Sequence, residues 1–379
     1  MILALKKTAV YIHIPFCDHK CIYCDFYSLI NYQNVETYLK SLKMEIQHYA
    51  QEYSKERVIN TIFFGGGTPS FMTPNYIGEI INCISKNFSV DKNAEITLET
   101  NPGTVDKSKL LEFKNSGINR LSIGIQTFDE DELKFLTRIH DKKTVIKTVD
   151  NAAEIGIENI NIDLIFSLPN QTKQTWSENL KTAVELPIKH ISAYSLILEK
   201  GTILNKLVLD GKVNMASENY DAELYQFTME FLEKENFIQY EVSNFSKSGF
   251  ECLHNKYYWE YKDYFGFGTA AHSFVNGKRW WNYSSLSKYI LEIDKHKSAV
   301  RDFEILTVEQ KLEEMIMLGL RSKGIDLNSI KIFSDNWYFE NKENINTFIK
   351  ERYLIQKAGI ISCTSKGYLI CDEIISKLI

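Results

Sequence analysis

A chain of 379 residues has room for one large domain and a smaller second one. Its 44% hydrophobic and 25% charged content belongs to a folded globular protein, not a disordered or fibrous one. A net charge of −5 supplies no field for a polyanion, so composition makes no case for nucleic-acid binding.

Seven cysteines is an odd number, and Cys83, Cys252, Cys363 and Cys371 are scattered. That argues against a disulfide framework and for a reducing, cytoplasmic setting. The opening "MILALKKTAVYIHIPFC" lacks the apolar run and small-residue cleavage site of a secretory signal. No run of about 18 apolar residues marks a membrane span.

The first expected strand, 9–14 (AVYIHI), leads straight into Cys17, Cys21 and Cys24 at spacing C-x3-C-x2-C. A helix is expected over 35–52, then a strand at 60–67 that ends in GGGTP (65–69). The pattern continues with a helix at 75–87, a strand at 94–102 carrying Glu99, and a helix at 106–116. Asp106 is suited to cap that helix and Gly117 to end it. Strands at 120–126, 160–166 and 190–196 alternate with helices at 142–155 and 172–185. Six β–α units of this kind predict parallel strands in a partial (β/α)6 TIM-type barrel within residues 1–240. The cysteines, GGGTP, Glu99, Gln126 and Asp163 would then converge on one face, from five different strands. Beyond residue 200 the alternation weakens. Residues 241–304 form an aromatic-rich extension, and 305–379 read as helices followed by short strands, a small winged-helix-like α+β domain. That last segment carries ten Lys/Arg against ten Asp/Glu, unlike a DNA-reading wing, so packing or partner binding is expected of it.

Three clustered thiols are short of the four that a structural zinc site or a cubane cluster normally takes. Thiolates favour zinc, Cu(I) and iron–sulfur clusters. The residues alone leave three readings: a [4Fe–4S] cluster with one open iron, a zinc site completed by His13 or His19, or three unrelated thiols. Consecutive glycines in GGGTP allow close backbone approach to a ligand, or simply a tight turn.

The C-x3-C-x2-C loop after a first strand, with aromatic Tyr23 before the last cysteine, resembles the radical S-adenosylmethionine superfamily. "HIPFC", "FFGGGTPS", "ETNPGT", "SIGIQTF", "TRIH", "DLIFSLPNQT" and "GFGTAAHS" narrow the resemblance to one branch. That branch holds the oxygen-independent coproporphyrinogen III oxidases and the HemW haem chaperones. The resemblance implies that Cys17, Cys21 and Cys24 hold a [4Fe–4S] cluster. S-adenosylmethionine then chelates the fourth iron and is cleaved on reduction to a 5′-deoxyadenosyl radical. It implies contacts to S-adenosylmethionine from Tyr11, Tyr23, Gly66, Gly67, Thr68, Glu99, Gln126, Arg138 and Asp163. "HNKYYW" (254–259) is similar to the H-N-x-x-Y-W pattern of the HemW branch, which makes His254 a candidate axial ligand for haem. His272 in "TAAHS" is the weaker histidine.

The oxidases place a fourth cysteine two residues beyond the third, where this chain has Phe26, and carry an extension before the cluster strand that ten residues here cannot supply. The resemblance therefore implies a haem chaperone delivering haem to acceptors such as respiratory enzymes. It leaves room for a homodimer and for membrane association through partners only. The alternative is radical oxidative decarboxylation of coproporphyrinogen III; RNA modification is a third reading that the balanced charge disfavours.

Overall fold

The structure, a computed structural model, describes residues 5–30 and 32–379. The part of the amino-terminal reading that rests on residues 1–4 lies outside them. Six strands and their helices appear in the expected order: β1 (Lys6–Ile14), α1 (Val35–Tyr53), β2 (Arg57–Gly66), α2 (Pro74–Asn87), β3 (Ser89–Thr100) and α3 (Lys107–Asn115). They continue with β4 (Arg120–Gln126), α4 (Glu130–Phe135), α5 (Lys142–Glu154), β5 (Asn159–Phe166), α6 (Lys173–Glu185) and β6 (His190–Ser195). All five pairings from β1 to β6 are parallel, giving a partial (β/α)6 barrel. Asp106 caps α3 by accepting from the Lys109 N–H at 2.8 Å, and Gly117 follows the helix with φ of +110°. The short helix α4, with Asp129 as its cap, is an element the sequence pattern did not separate.

Past residue 200 the chain is more regular than its sequence implied. It forms α7 (Ile203–Leu209), α8 (Glu218–Lys234), β7 (Ile238–Gln239), β8 (Asn244–Ser246), α9 (Leu253–Trp259) and β9 (Tyr264–Phe267). β10 (His272–Val275), β11 (Lys278–Asn282), α10 (Leu286–His296) and β12 (Val300–Ile305) follow. β9 pairs in parallel with β1, and β8 pairs antiparallel with β6. One sheet of 12 strands results, in the order β12-β11-β10-β9-β1-β2-β3-β4-β5-β6-β8-β7. The aromatic residues of 241–304 thus extend the barrel sheet, and Phe265, Phe267, Trp280 and Tyr289 join its core.

The core lies on the outer side of the barrel strands. Leu121, Ile123 and Ile125 of β4 and Ile160, Ile162 and Leu164 of β5 are buried with Leu110, Val149, Trp176 and Leu180 of the helices. Because successive strand residues face opposite sides, their neighbours Arg120, Ser122, Gly124, Gln126, Asn161 and Asp163 face inward. The barrel interior is therefore polar, a chamber and not a packed core.

The carboxyl-terminal unit begins with α11 (Val308–Leu320), which opens on a capping box between Thr307 and Gln310. β13 (Ile325–Asp326), β14 (Leu354–Lys357) and β15 (Ile360–Cys363) form an antiparallel sheet in the order β13-β15-β14. A final helix at Cys371–Leu378 was not distinguished from the strands in the sequence. Ile316, Leu320, Ile361, Ile374 and Leu378 make a second core. Arg279 to Glu314 at 2.7 Å and Lys323 to Glu260 at 2.7 Å tie the unit to the barrel.

Candidate functional site

The loop after β1 is pinned at both ends. The Cys17 N–H donates to Leu29 O at 3.0 Å, and the Leu29 N–H to Pro15 O at 2.6 Å. Between these ties the loop carries Cys17, Cys21 and Cys24, all free and half-buried, at the mouth of a cavity of about 660 Å3. Burial pushes the Cys24 thiol up to about 11 and raises that of Cys17. Each of two thiols has its own polar neighbour. Cys17 Sγ lies 2.9 Å from Thr68 Oγ1, and Cys21 Sγ accepts from Arg138 at 3.5 Å. Asn101 links these neighbours: its amide donates to Thr68 Oγ1 at 3.0 Å and accepts from Arg138 at 2.9 Å. Arg138 also donates to Gly124 O. A side-chain relay, Cys17–Thr68–Asn101–Arg138–Cys21, thus closes around the mouth. Arg138 has no carboxylate partner among the described residues, so it is not the surface ion pair that is the ordinary alternative for such an arginine.

Among the described residues, no three His, Cys, Asp or Glu side chains are gathered closely enough to hold a single metal ion. Both ring nitrogens of His13 are engaged, with the Tyr11 hydroxyl at 3.2 Å and Tyr27 O at 3.0 Å. His13 is therefore not placed to complete a zinc site with the thiols. Buried His19 Nε2 has no protein partner. Three soft thiols that line one cavity without gathering at a single point fit a multi-iron cluster better than one tetrahedral ion.

The GGGTP strip is fixed by its own backbone. The Gly67 N–H donates to Ile14 O at 2.8 Å, Thr68 N–H to Phe16 O at 2.7 Å, and Gly66 N–H to Glu99 at 3.1 Å. A Cβ on Gly67 would come within 2.5 Å of Phe16 O, and one on Gly66, at φ +110°, within 2.6 Å of the His13 ring. With those N–H groups spent inside the protein, the strip can offer a ligand carbonyl oxygens, which suit an ammonium and not an anion.

On the inner wall, Glu99 and Asp163 face the cavity together. Burial, then the charge of Asp163, pushes Glu99 up to about 8. Asp163 is raised by burial, and is held by Asn161 at 2.8 Å and Ser122 at 3.3 Å. Gln126 ends β4 with φ of +69°, a strained conformation of the kind found at binding sites.

The floor is closed by α9. Its first amides, Leu253 and His254 N–H, donate to Glu95 at 3.1 and 3.0 Å. His254 is buried. Its Nδ1 meets Thr61 Oγ1 at 2.8 Å, its Nε2 meets the Tyr258 hydroxyl at 2.9 Å, and its ring stacks on Phe63 at 4.9 Å. Burial, with the Arg120 charge beside it, lowers His254 to about 3, so it stays neutral. Haem ligation through this ring would require one of those hydroxyls to yield its nitrogen. His272 lies away from the cavity, exposed and stacked on Trp281 at 5.6 Å.

The thirteen residues that the resemblance assigns to the cluster, S-adenosylmethionine and haem, from Tyr11 to His254, all line this single cavity, whereas His13 and His272 do not. Phe26 stands at its rim, 62% exposed. Sequence reasoning missed Asn101, Arg120, Ser122, Asn161, Ser192 and Tyr194 on the same walls. The signal was present: "RLSIGIQ", "NINIDLIF" and "HISAYS" alternate polar with apolar residues, and the polar set is the inner one.

A family model described as the Radical SAM superfamily matches residues 11–183, and one described as the HemN C-terminal domain matches 306–370. The chain is 38% identical over 315 residues to the "Heme chaperone HemW" of Bacillus subtilis, covering 83% of each chain. It is 33% identical over 380 residues to the protein of the same name from Lactococcus lactis, covering 99% of this chain and 98% of that one. Coproporphyrinogen III oxidase (HemN) from Escherichia coli, a radical SAM enzyme, shares the fold with a TM-score of 0.84 at 22% identity, over 99% of this chain and 90% of that chain.

Proposed function

Because this chain belongs to the HemW family of radical SAM proteins, we propose that it is a haem chaperone, which binds haem and passes it to haem-requiring acceptor proteins. The observation that carries the reading is the single cavity running from three free thiols to His254. A cofactor at the mouth and a second ligand at the floor would share one space, of a volume within the usual range for ligand sites.

Cys17, Cys21 and Cys24 would hold the [4Fe–4S] cluster, whose redox chemistry with S-adenosylmethionine the family implies. Arg138, against Cys21, would face the carboxylate of S-adenosylmethionine, and the Gly66–Gly67–Thr68 strip its ammonium group. Tyr11, Tyr23, Glu99, Gln126 and Asp163 would border the rest of that molecule. His254 would reach haem iron by releasing Tyr258 from Nε2. The free thiols suit a reducing cytoplasm. Acceptors such as respiratory haem proteins, a homodimer, and membrane contact through those acceptors alone complete the reading.

The test is anaerobic. Reconstituted protein is titrated with haem, mixed with a haem-free acceptor, and separately supplied with coproporphyrinogen III, S-adenosylmethionine and reductant. Saturable haem binding, altered in His254→Ala, and transfer to the acceptor are expected. Protoporphyrinogen formation would overturn the chaperone reading in favour of the oxidase.

A further inference from the structure

We propose that Arg120 is the receptor for a carboxylate of the ligand that reaches the cavity floor; on the haem reading above, on which this rests, that group is a haem propionate. Arg120 opens β4, is 2% exposed, and lines the cavity. Its guanidinium makes no hydrogen bond and no ion pair among the described residues, and its Nε is buried without a partner. A guanidinium does not shed its charge in a protein, so burial leaves a permanent cation that Glu95 and Asp163 offset only from a distance, without contact.

The nearest carboxylates are committed elsewhere. Glu95 accepts from Leu253 N–H, His254 N–H and the Cys252 thiol. Asp163 accepts from Asn161 and Ser122. The cation is felt all the same, since its charge helps to lower both His190 and His254. What the guanidinium lacks is a contact partner, and its planar fork is matched by a carboxylate.

The cavity's other cation cannot stand in for it. Arg138 sits against Cys21 and Gly124 O, towards the Gln126 end of β4. Arg138 is anchored at Gly124, four positions along the strand from Arg120, about 13 Å at ~3.3 Å per residue. One carboxylate cannot serve both cations. A ligand held at the thiol end takes Arg138, and Arg120 calls for an anionic group beside His254.

The probes are haem and its dimethyl ester, in which both propionates are masked, titrated into the full reconstituted chain. Wild-type protein is expected to prefer haem over the ester by tenfold or more. In Arg120→Gln the haem-over-ester ratio is expected to fall to near one, and in Arg120→Lys, which keeps the charge without the fork, to lie between. Circular dichroism and iron–sulfur absorbance report folding. Should the Gln variant not fold, the wild-type and Lys ratios decide. Equal affinity of wild type for haem and ester overturns the inference, as does an unchanged ratio in the folded variants, while haem binding still stands. Wild type that binds neither probe overturns the haem reading itself, and this inference with it.

Discussion

At the mouth of the cavity a ring of side chains is closed by mutual hydrogen bonds, whereas at its floor the Arg120 guanidinium makes none among the described residues. The mouth is held by backbone ties at Cys17, Leu29, Gly67 and Thr68, by the Gly66 amide on Glu99, and by the side-chain relay from Cys17 to Cys21. The floor is held by side chains that cap α9 or bridge strands, such as Glu95, Asn161 and His254. A site for a permanent cofactor gains from rigid prepositioning. One that takes and releases cargo keeps a group unsatisfied until the cargo arrives. The contrast assigns the two ends different tasks.

The largest effect should come from removing the thiols. Cys17→Ala, Cys21→Ala and Cys24→Ala should each abolish iron–sulfur absorbance after anaerobic reconstitution, with little change in the apoprotein's melt. A full cluster in all three variants would refute the ligand set and, with it, the division between the two ends.

Rigidity of the mouth is tested by Gly67→Ala. The added Cβ would meet a backbone carbonyl, Phe16 O, at 2.5 Å, and backbone cannot rotate away as a side chain can. Overpacking of this kind costs about 1–3 kcal/mol. The variant should melt earlier and take up less iron, because the displaced segment adjoins Cys17. Unchanged stability and iron content would show that the mouth tolerates movement, and the comparison would lose its first half.

Much of the mouth was legible in the sequence because its chemistry sits in contiguous motifs: three cysteines within eight residues, three glycines in a row, and Glu99 and Asp163 near the ends of apolar strands. The floor was less so. Arg120 and Asn161 take their meaning from position on the inward face, and that face became informative only once the barrel's polar-in, apolar-out arrangement was established. Glu95 serves α9, whose first residues lie more than 150 positions further along the chain. No local pattern announces such a pairing. The strands after residue 240 were hidden for another reason: they are two to six residues long and rich in aromatics that also read as loop or cavity lining.

The smallest effect concerns the wall between the two ends. Glu99, held at about 8 by burial and by Asp163, keeps its proton in the folded chain after an unfolded chain, with an ordinary value of 4.5, has lost it. Between pH 4.5 and 8 the folded state therefore binds more protons than the unfolded one, and stability falls as pH rises through that window. Each tenfold change in proton affinity is worth about 1.4 kcal/mol. Water reaching the cavity screens part of this, leaving a loss of about 1–2 kcal/mol. Glu99→Gln keeps the shape and the acceptor for the Gly66 N–H but cannot ionise. Melting curves of the variant should change less between pH 5 and 8.5, and at pH 8.5 the variant should outlast the parent while binding S-adenosylmethionine less well. Parallel pH curves for parent and variant would mean that Glu99 ionises normally in the fold. The wall would then be an ordinary wet surface, and the separation of a prepositioned mouth from a floor that waits for its ligand would no longer hold.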